Sequence, residues 1–368
     1  MSKTYRVIQW ATGSVGHGSL RAIQIHPQLE LAGVYVYSAD KNGRDAGELC
    51  GEPATGITAT NNVDEILRCD ADCVMYAPRD PDIDEVCAIL RSGKNVAATP
   101  FLFHRRSGYN DYAEQIDAAC REGSSSLHGT GIHPGFLAMV LPVALSGMSR
   151  TIDHIRVEER ADWSFYDSPR ITFDNMRFGY DESEATLEAN PFARFTADIF
   201  GQQVWMLAET LGADIDDVTL EHELALAPDA RELRAGFLEA GKVSGQRFRW
   251  AGVKGDKTLI EIEVLWTVGG FYPDNWPKPR DGWTISIEGD PSFRNHFQAA
   301  ATLGKRNVSI DDHVQAAGSL TTAMQPVNSI PAICEAAPGW LTSVDLGLVG
   351  AGIGFRHPSV WRPLEPDA

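Results

Sequence analysis

The stretch that decides the fold is RVIQWATGSVG, residues 6–16 of this 368-residue chain. Residues 6–10 are typical of a short buried strand, and Leu20 and Ile23 predict a helix that ends near Pro27. A turn with two glycines joins this strand to this helix. A strand, a glycine-containing turn and a helix in this order form the first unit of a Rossmann dinucleotide-binding fold.

The turn itself reads Ala-Thr-Gly-Ser-Val-Gly over residues 11–16, where the usual fingerprint is GxGxxG. Ala11 stands in the place of the first glycine. Gly13 lets a pyrophosphate approach the backbone, and Gly16 lets the helix pack closely on the strand. The free N–H groups at the start of the helix then face the phosphates. We therefore predict that the cofactor contacts Thr12, Gly13, Ser14, Val15 and Gly16.

The remaining pattern divides the chain into two kinds of structure. Strands at 31–37, 73–77, 95–99 and 126–129 alternate with helices at 63–67, 83–90 and 109–121. Alternation of this kind predicts a mostly parallel, doubly wound sheet with helices on both faces. After residue 151, longer strands at 152–158, 218–227, 247–250, 259–268 and 283–288 surround a helix at 192–211. These strands predict an antiparallel or mixed sheet.

The predicted organisation has three parts. An α/β Rossmann domain occupies residues 1–150, and an α+β substrate and dimerisation domain occupies residues 151–310. A C-terminal helical segment, residues 311–368, packs back on the Rossmann domain. Its helix at 319–337 contains Pro326 and Pro331, so a kink or break is expected there.

The charge composition excludes some classes of binding partner. The chain has 32 basic and 50 acidic residues, a net charge of −18. A surface of that sign repels phosphate backbones and anionic lipids, so neither nucleic acid nor a membrane is expected. The longest apolar stretch, 136–148, is too short to span a bilayer, and the start of the chain has no signal-peptide pattern. Six cysteines without a CxxC pair predict reduced thiols in a cytoplasmic protein and no metal site.

The second strand bears on the choice of cofactor. NAD enzymes usually carry an acidic residue at its end, where it binds the ribose hydroxyl. Here the strand ends at Ser38, with Lys41 and Arg44 just beyond it. A hydroxyl and two cations suit a 2′-phosphate, which predicts NADP as the preferred cofactor. NAD is the alternative cofactor, because the loop also contains Asp40, which can bind the ribose hydroxyl. The alternative interpretation of Lys41 and Arg44 is that both are solvated loop charges without a role in cofactor binding.

Three stretches carry a resemblance to a known family: VIQWATGSVG (7–16), GRDAGELCG (43–51) and GTGIHPGF (129–136). They resemble the dihydrodipicolinate-reductase-like oxidoreductases, which include diaminopentanoate dehydrogenases and native amine dehydrogenases. The stretch QPVNSIP (325–331) is similar to the C-terminal part of that family. The resemblance implies a Rossmann domain, an α+β substrate domain, a homodimer, and hydride transfer between NAD(P)H and a carbonyl or imine carbon.

The sequence departs from the family in two places. The His-His-x-x-Lys run of true dihydrodipicolinate reductases is absent. Amine dehydrogenases of the family place a glutamate after the fifth strand, but here Thr99 is followed by Pro100, Phe101 and Leu102. We expect Pro100, Phe101 and Leu102 to form an apolar wall beside the nicotinamide, which suits a hydrophobic substrate. Because such a wall cannot stabilise an iminium cation, we expect that ammonia is not a co-substrate. Because a Rossmann cofactor lies along the strand ends, further cofactor contacts are expected from Ala77, Pro78, Arg79, Thr99 and Pro100.

The second domain offers aromatic residues for the rest of the pocket, and Trp163, Phe165, Tyr166 and Phe178 are the candidates. A reductase also needs a proton donor near the developing charge. The candidate donors are Tyr166, His104 and His133, and His133 is equally a candidate cofactor contact.

Three functions remain open at this point. The first is NAD(P)H-dependent hydride transfer to or from a C=O, C=N or conjugated C=C carbon of a hydrophobic small molecule. The second is an amine dehydrogenase whose carboxylate comes from elsewhere, with Asp162 and Asp167 as candidates. The third is a dinucleotide-binding sensor without turnover.

Overall fold

The computed structural model describes residues 3–79, 81–99, 110–278, 280–301 and 310–352, and within these it leaves the side chains of 110–111 and 310–316 undescribed. Pro100, Phe101, Leu102 and His104, to which the sequence assigns roles, lie outside the described residues. The expectations for these four positions stay predictions.

The first sheet carries the dinucleotide turn. Its strands are β1 (Tyr5–Trp10), β2 (Leu29–Tyr35), β3 (Ala59–Thr60), β4 (Cys73–Tyr76), β5 (Asn95–Ala98), β6 (Ser126–Gly129) and the late strand β15 (Gly339–Leu341). All are parallel, in the order β15-β6-β5-β4-β1-β2-β3. The carboxyl ends of the strands therefore meet along one edge. The strand order reverses between β1 and β4, where folds of this class bind their ligands.

Helices cover both faces of this sheet: α1 (Ser14–Ile25), α2 (Ala46–Cys50), α3 (Val63–Arg68), α4 (Ile83–Arg91) and α5 (Asn110–Gly123). Because neighbouring strand residues point to opposite faces, Val7 and Met75 pack with α1, whereas Ile8 and Val74 pack with α4 and α5. The predicted α/β Rossmann architecture is confirmed.

Strand β2 ends earlier than the predicted 31–37. After Tyr35 the backbone N–H of Val36 donates to the carbonyl of Thr60 (3.0 Å). The N–H of Lys41 then donates to the carbonyl of Ser38 (3.2 Å), which closes a turn. Ser38 and Lys41 therefore lie in this turn beyond the strand, on the same edge of the sheet as the dinucleotide turn.

The second sheet is mixed, as predicted. Its strands are β7 (Thr151–Asp162), β8 (Asp217–Leu226), β11 (Val243–Lys254), β12 (Lys257–Thr267), β13 (Gly282–Asp290) and β14 (Phe293–Phe297). Their order is β14-β13-β7-β12-β11-β8, in which only β7 and β12 run parallel. A small hairpin consists of β9 (Arg231–Leu233) and β10 (Gly236–Leu238). The strand expected at 247–250 is the middle of the much longer β11, which pairs on both sides.

Several helical segments complete this domain: a turn at Ile132–Val140, α6 (Leu141–Ser146), short turns at Arg170–Asn175 and Glu182–Glu184, and α7 (Pro191–Leu211). Helix α7 covers one face of the second sheet, where Phe200 stacks on Trp250 at 4.7 Å between ring centroids. On β7, Ile155 and Val157 join this apolar core, while Glu158 and Arg160 pair with each other on the opposite face.

The chain then returns to the first domain through α8 (Ile310–Glu335), β15 and α9 (Ser343–Leu346). Of the kink or break expected in α8, the break is wrong, because one continuous helix contains both Pro326 and Pro331. Val327, Ile330 and Ile333 are fully buried against the first sheet and α1, and this packing stabilises the helix despite its prolines. Within the described ranges, no helix combines the length and apolar character needed to cross a bilayer.

Candidate active site

The dinucleotide turn has the geometry of an anion cradle. Gly13 is the N-cap of α1, and no side chain caps the helix or places an acid in its first turn. A Cβ built on Gly13 meets no atom within 4 Å, so open space lies in front of the turn. A Cβ on Gly16 would lie 2.3 Å from the carbonyl oxygen of Ala11. Uncapped N–H groups facing open space fit a pyrophosphate.

The first position of the fingerprint shows why a glycine is usual there. Ala11 has a positive φ of 69°, a conformation that L side chains rarely adopt. Its backbone N–H donates to Tyr35 (2.9 Å), and its carbonyl accepts from the side-chain amide of Gln9 (2.8 Å). These bonds hold the strained residue in place, which explains how alanine is tolerated in the fingerprint.

The two cations after β2 have different surroundings. Lys41 Nζ donates to the backbone carbonyl of Thr12 (3.0 Å) and to its hydroxyl (3.2 Å), so its charge lies over the dinucleotide turn. Arg44 instead pairs with Glu48 (2.9 Å) one helical turn away. Burial, followed by the positive charges of Lys41 and Arg21, lowers the pKa of the nearby His17. Of the two cations after β2, Lys41 therefore places its charge beside the dinucleotide turn, whereas Arg44 is paired with an acid.

A cavity of about 290 Å³ lies between the two domains. Its walls are mostly aromatic and apolar, and the aromatic side chains are Trp163, Phe165, Tyr166, Phe192, Phe200, Trp266 and Trp283. Polar residues on the wall are His133, Glu159, Asp162, Thr196, Ser319 and Thr322. His133 follows β6 at the carboxyl edge of the first sheet, so the cavity adjoins the edge where a Rossmann cofactor lies.

The carboxylate of Glu159 lies on the cavity wall and is hydrogen-bonded to two ring nitrogens. Glu159 Oε2 is hydrogen-bonded to Nδ1 of His133, and Glu159 Oε1 accepts from Nε1 of Trp266 (3.0 Å). The Glu159 side chain is 11% exposed and that of His133 is 1% exposed. A carboxylate in an aromatic cavity costs free energy unless it is paired, and the two nitrogens provide that pairing.

Several polar atoms on the same wall lack a partner among the residues that the structure describes. They are Nε2 of His133, Nε1 of Trp163 and Nε1 of Trp283. Buried polar groups normally have partners, so such atoms at a cavity are candidates for pairing with a ligand. An imidazole whose Nδ1 donates to a carboxylate carries its lone pair on Nε2, where it can take a proton.

Tyr166 is the second candidate proton carrier on the wall. Burial, then the charge of Asp167, raises its pKa, against a smaller opposing effect of its hydrogen bond with Ser319. Its phenol therefore keeps its proton at neutral pH and is available as a donor.

The structure brings together three of the four described residues that the sequence nominated for the pocket, and it adds His133 from the candidate proton donors. His133, Trp163, Phe165 and Tyr166 line one cavity, although 30 or more residues separate His133 from the others. Phe178 does not line this cavity, because its side chain is fully buried in the core of the second domain. The sequence cannot separate the two cases, since aromatic residues fill cores as well as pockets.

The other nominated residues lie around this cavity and the cofactor edge. Asp162 lines the cavity, with one oxygen accepting from the N–H of Ser164 (2.9 Å), whereas Asp167 is exposed. Ala77 and Thr99 follow β4 and β5 at the cofactor edge, and their N–H groups donate to Trp10 and Tyr76 (both 3.0 Å). Pro78 follows Ala77, and Arg79 lines a separate cavity.

Sequence reasoning missed Glu159, Trp266, Trp283 and Phe200. A signal for Glu159 exists in β7, where alternate residues Ile155, Val157 and Ala161 face the apolar core. Glu159 falls on the same alternation, so it is an acid at an inward-facing position. An inward acid in a strand needs a partner or a function.

Comparison with known proteins adds independent findings. A family model described as the 2,4-diaminopentanoate dehydrogenase C-terminal domain matches residues 136–358. An amine dehydrogenase of Streptomyces virginiae is 30% identical over 358 residues, 93% of this chain and 96% of that protein.

Two solved structures are similar in fold. An amine dehydrogenase from Mycobacterium smegmatis superposes with a TM-score of 0.74 at 19% identity, over 95% of this chain and 98% of that one. A myo-inositol dehydrogenase from Lactobacillus casei, in complex with NAD(H) and myo-inositol, gives a TM-score of 0.53 at 14% identity over 93% and 90%.

Proposed function

Since this chain belongs to the family of the amine dehydrogenases and 2,4-diaminopentanoate dehydrogenase, and is an NAD(P)-dependent oxidoreductase, we propose that it interconverts a hydrophobic amine and the corresponding ketone. The observation that carries this proposal is the carboxylate of Glu159 on the wall of the aromatic cavity. An iminium carbon is positively charged, and a closed apolar site would exclude it without a compensating charge.

The cavity suits a cationic centre in a second way. The faces and edges of Trp163, Trp266 and Phe200 surround the space beside Glu159. Aromatic faces attract ammonium and iminium groups, and indole does so most strongly. The carboxylate supplies the charge, and the rings exclude water from it. In this proposal Glu159 takes the role that the amine dehydrogenases of this family give to a glutamate after the fifth strand. The proposal therefore replaces the expectation that ammonia is not a co-substrate, which rested on the absence of an acid after that strand.

The chain's own residues divide the work as follows. The turn at residues 11–16 binds the pyrophosphate of the dinucleotide, whose nicotinamide supplies or accepts the hydride. Glu159 pairs with the nitrogen of the substrate. In the amination direction, His133 takes a proton at Nε2 when ammonia attacks the carbonyl carbon of the ketone, and Tyr166 donates a proton to the hydroxyl group, which leaves as water. The indole rings exclude water.

We also propose NADP(H) as the preferred cofactor. The support is Lys41, held over the turn by Thr12, together with the absence of an acid at the end of β2 in the described chain. Arg44 supports this less, because Glu48 already pairs with it. A homodimer in the cytoplasm remains our proposal for the assembled enzyme, and light scattering of the purified protein measures the assembly.

The deciding experiment is NADPH oxidation with a methyl ketone, with and without ammonium. We expect turnover to need ammonium, and Glu159→Gln to lower it by about 100-fold or more, the loss typical of a group that stabilises developing charge. Glu158→Gln is the matched control, since Glu158 is the next residue on β7 and faces the opposite side. Its melting temperature is measured in parallel.

Two results would contradict the proposal. One is ketone or enone reduction at the same rate with and without ammonium. The other is full ammonium-dependent turnover in Glu159→Gln. The first would favour a neutral C=O or C=C substrate, which the apolar walls also accommodate.

A further inference from the structure

An aromatic cluster lies where the strand order of the first sheet reverses. Trp10 is the last residue of β1, Tyr35 is the last residue of β2, and Tyr76 is the last residue of β4. The ring centroids of Trp10 and Tyr35 are 4.2 Å apart, and those of Trp10 and Tyr76 are 6.3 Å apart. Tyr37 follows β2 by two residues and meets Tyr35 edge-on at 5.1 Å. The cluster therefore lies at the crevice in which a fold of this class binds a dinucleotide.

Tyr37 is the exposed member of this cluster. It is 52% exposed, whereas Trp10, Tyr35 and Tyr76 are buried. Exposed side chains normally change rotamer freely, but the ring of Tyr37 is fixed at its hydroxyl. The hydroxyl donates to Oε2 of Glu85 (2.6 Å) and accepts from Nε1 of Trp10 (3.1 Å). A flat apolar ring that is held rigid in solvent is already ordered for a ligand, so binding there costs little conformational entropy.

Glu85 is itself held by a second tyrosine. Its Oε2 also accepts from the hydroxyl of Tyr76 (2.7 Å). The same hydroxyl accepts from the backbone N–H of Asp82 (3.1 Å), which is the N-cap of α4. This network joins the segment after β2 to the helix after β4, and it fixes the ring of Tyr37 relative to both.

The place of Tyr37 in the fold is that of the adenosine half of a bound dinucleotide. In Rossmann folds the pyrophosphate lies at the glycine turn, and the residue at the end of the second strand contacts the adenosine ribose. Ser38 follows Tyr37 directly, and three residues later Lys41 donates from Nζ to the carbonyl of Thr12 in that turn (3.0 Å). A base attached to this ribose therefore lies within reach of the exposed ring.

We infer that the ring of Tyr37 is the platform on which the adenine of the cofactor stacks, and that Glu85 is the residue that positions this ring. Stacking of a base on an aromatic side chain uses the π face and needs no phosphate. Tyr37 should therefore contribute equally to NADPH and NADH, unlike Lys41. The inference goes beyond the proposed function, because it depends on the dinucleotide alone and not on the amine chemistry.

The test measures the Kd of NADPH, NADH and 2′,5′-ADP by isothermal titration calorimetry. The last ligand contains the adenine but no nicotinamide. Tyr37→Leu keeps an apolar side chain without an aromatic face, and it should weaken all three ligands by the same factor, about tenfold or more. Tyr37→Phe keeps the ring and should retain most of the affinity. Tyr272→Leu is the matched control, because Tyr272 is an exposed tyrosine (38%) of the second domain.

A double substitution tests the positioning role of Glu85. Glu85→Ala should weaken NADPH about threefold while Tyr37 is present, because the ring is then no longer ordered before binding. In the Tyr37→Leu background, Glu85→Ala should cause no further loss. The same loss in both backgrounds would mean that Glu85 acts independently of Tyr37, and would refute the positioning role.

Three results would overturn the platform itself. The first is an unchanged affinity for all three ligands in a folded Tyr37→Leu protein. The second is an equal loss in Tyr37→Phe and Tyr37→Leu, which would assign the effect to the hydroxyl instead of the ring. The third is a loss for NADPH and 2′,5′-ADP without a loss for NADH, which would assign Tyr37 to the 2′-phosphate. The predicted pattern in an enzyme that aminates no ketone would support the platform and contradict only the amine chemistry.

Discussion

His133 and Glu159 are joined through Nδ1 and Oε2 on the wall of the aromatic cavity, although they belong to different elements, the turn after β6 and strand β7. The pairing fixes the orientation of the imidazole and leaves Nε2 without a partner in the described chain. The contact between His133 and Glu159 therefore connects the carboxyl edge of the first sheet with the second sheet.

Substitution of His133 distinguishes its two candidate roles, which are proton transfer and contact with the cofactor. If it moves a proton, His133→Gln should lower kcat by about 100-fold and leave the Kd of NADPH unchanged. If it only contacts the cofactor, the Kd should rise while kcat is retained. Stopped-flow measurement of the hydride step, beside equilibrium titration of NADPH, distinguishes the two.

Gly13 and Gly16 should respond differently to substitution. Gly13→Asp introduces a good N-cap residue into open space, so the melting temperature should hold or rise slightly. Its carboxylate would meet the pyrophosphate, so NADPH binding should be lost. Gly16→Ala places a methyl group against the carbonyl of Ala11 and should lower the melting temperature itself. NADPH binding by a folded Gly13→Asp protein would refute the assignment of the turn.

Lys41→Ala should weaken NADPH about tenfold or more and NADH much less, because a charge-assisted hydrogen bond to phosphate contributes about 1.5–3 kcal/mol. Arg44→Ala should change the ratio little, since Arg44 already pairs with Glu48. Titration of both cofactors against both variants gives the ratio. Tighter NADH than NADPH in the unmodified protein would remove the basis for NADP specificity.

The fold follows from the sequence where signals are local. The strand, glycine turn and helix at 6–25 depend on neighbouring residues, and the structure has them as predicted. The end of β2 was misplaced because the apolar pattern continues past Tyr35, whereas the chain enters the turn that the hydrogen bond from Lys41 to Ser38 closes. Helix α8 continues through two prolines because its stability comes from burial against the sheet rather than from propensity.

The candidate site was less predictable, because its parts are far apart in the chain. Trp163 and Tyr166 form one local cluster that composition reveals. Glu159 instead meets Trp266 only when β7 pairs with β12, and it meets His133 only when the turn after β6 packs on the second sheet. Periodicity alone marks Glu159 as inward-facing. Its partners cannot be read from spacing, because 107 residues separate it from Trp266.

His128 should make stability depend on pH. Burial lowers its pKa to about 4, against 6.5 for the unfolded chain, and its Nδ1 contacts the carbonyl of Leu341 in β15 (3.1 Å). Because the folded pKa is lower, the unfolded state binds more protons between these values, so stability rises with pH there. The contribution should be complete above pH 6.5 and fall by about 3 kcal/mol toward pH 4. Urea unfolding of His128→Asn should show a smaller loss than the unmodified protein over this range.

Glu263 should be the most sensitive acid on the face of the second sheet opposite α7. It is 0% exposed, and it accepts from Arg247 at Nε (3.0 Å) and Nη2 (2.6 Å) and pairs with Arg160 (2.6 Å). Burial would raise its pKa, but the hydrogen bonds from Arg247 and the charge of Arg160 outweigh this and lower it. Glu263→Gln removes the buried charge that Arg247 and Arg160 share and leaves them only Glu223 and Glu158, so the free energy of unfolding should fall by about 3 kcal/mol. Glu221→Gln, which removes an exposed partner of Arg249, should cost less than about 1 kcal/mol in the same urea titration. Equal effects of the two substitutions would mean that the buried cluster contributes no more than a surface ion pair.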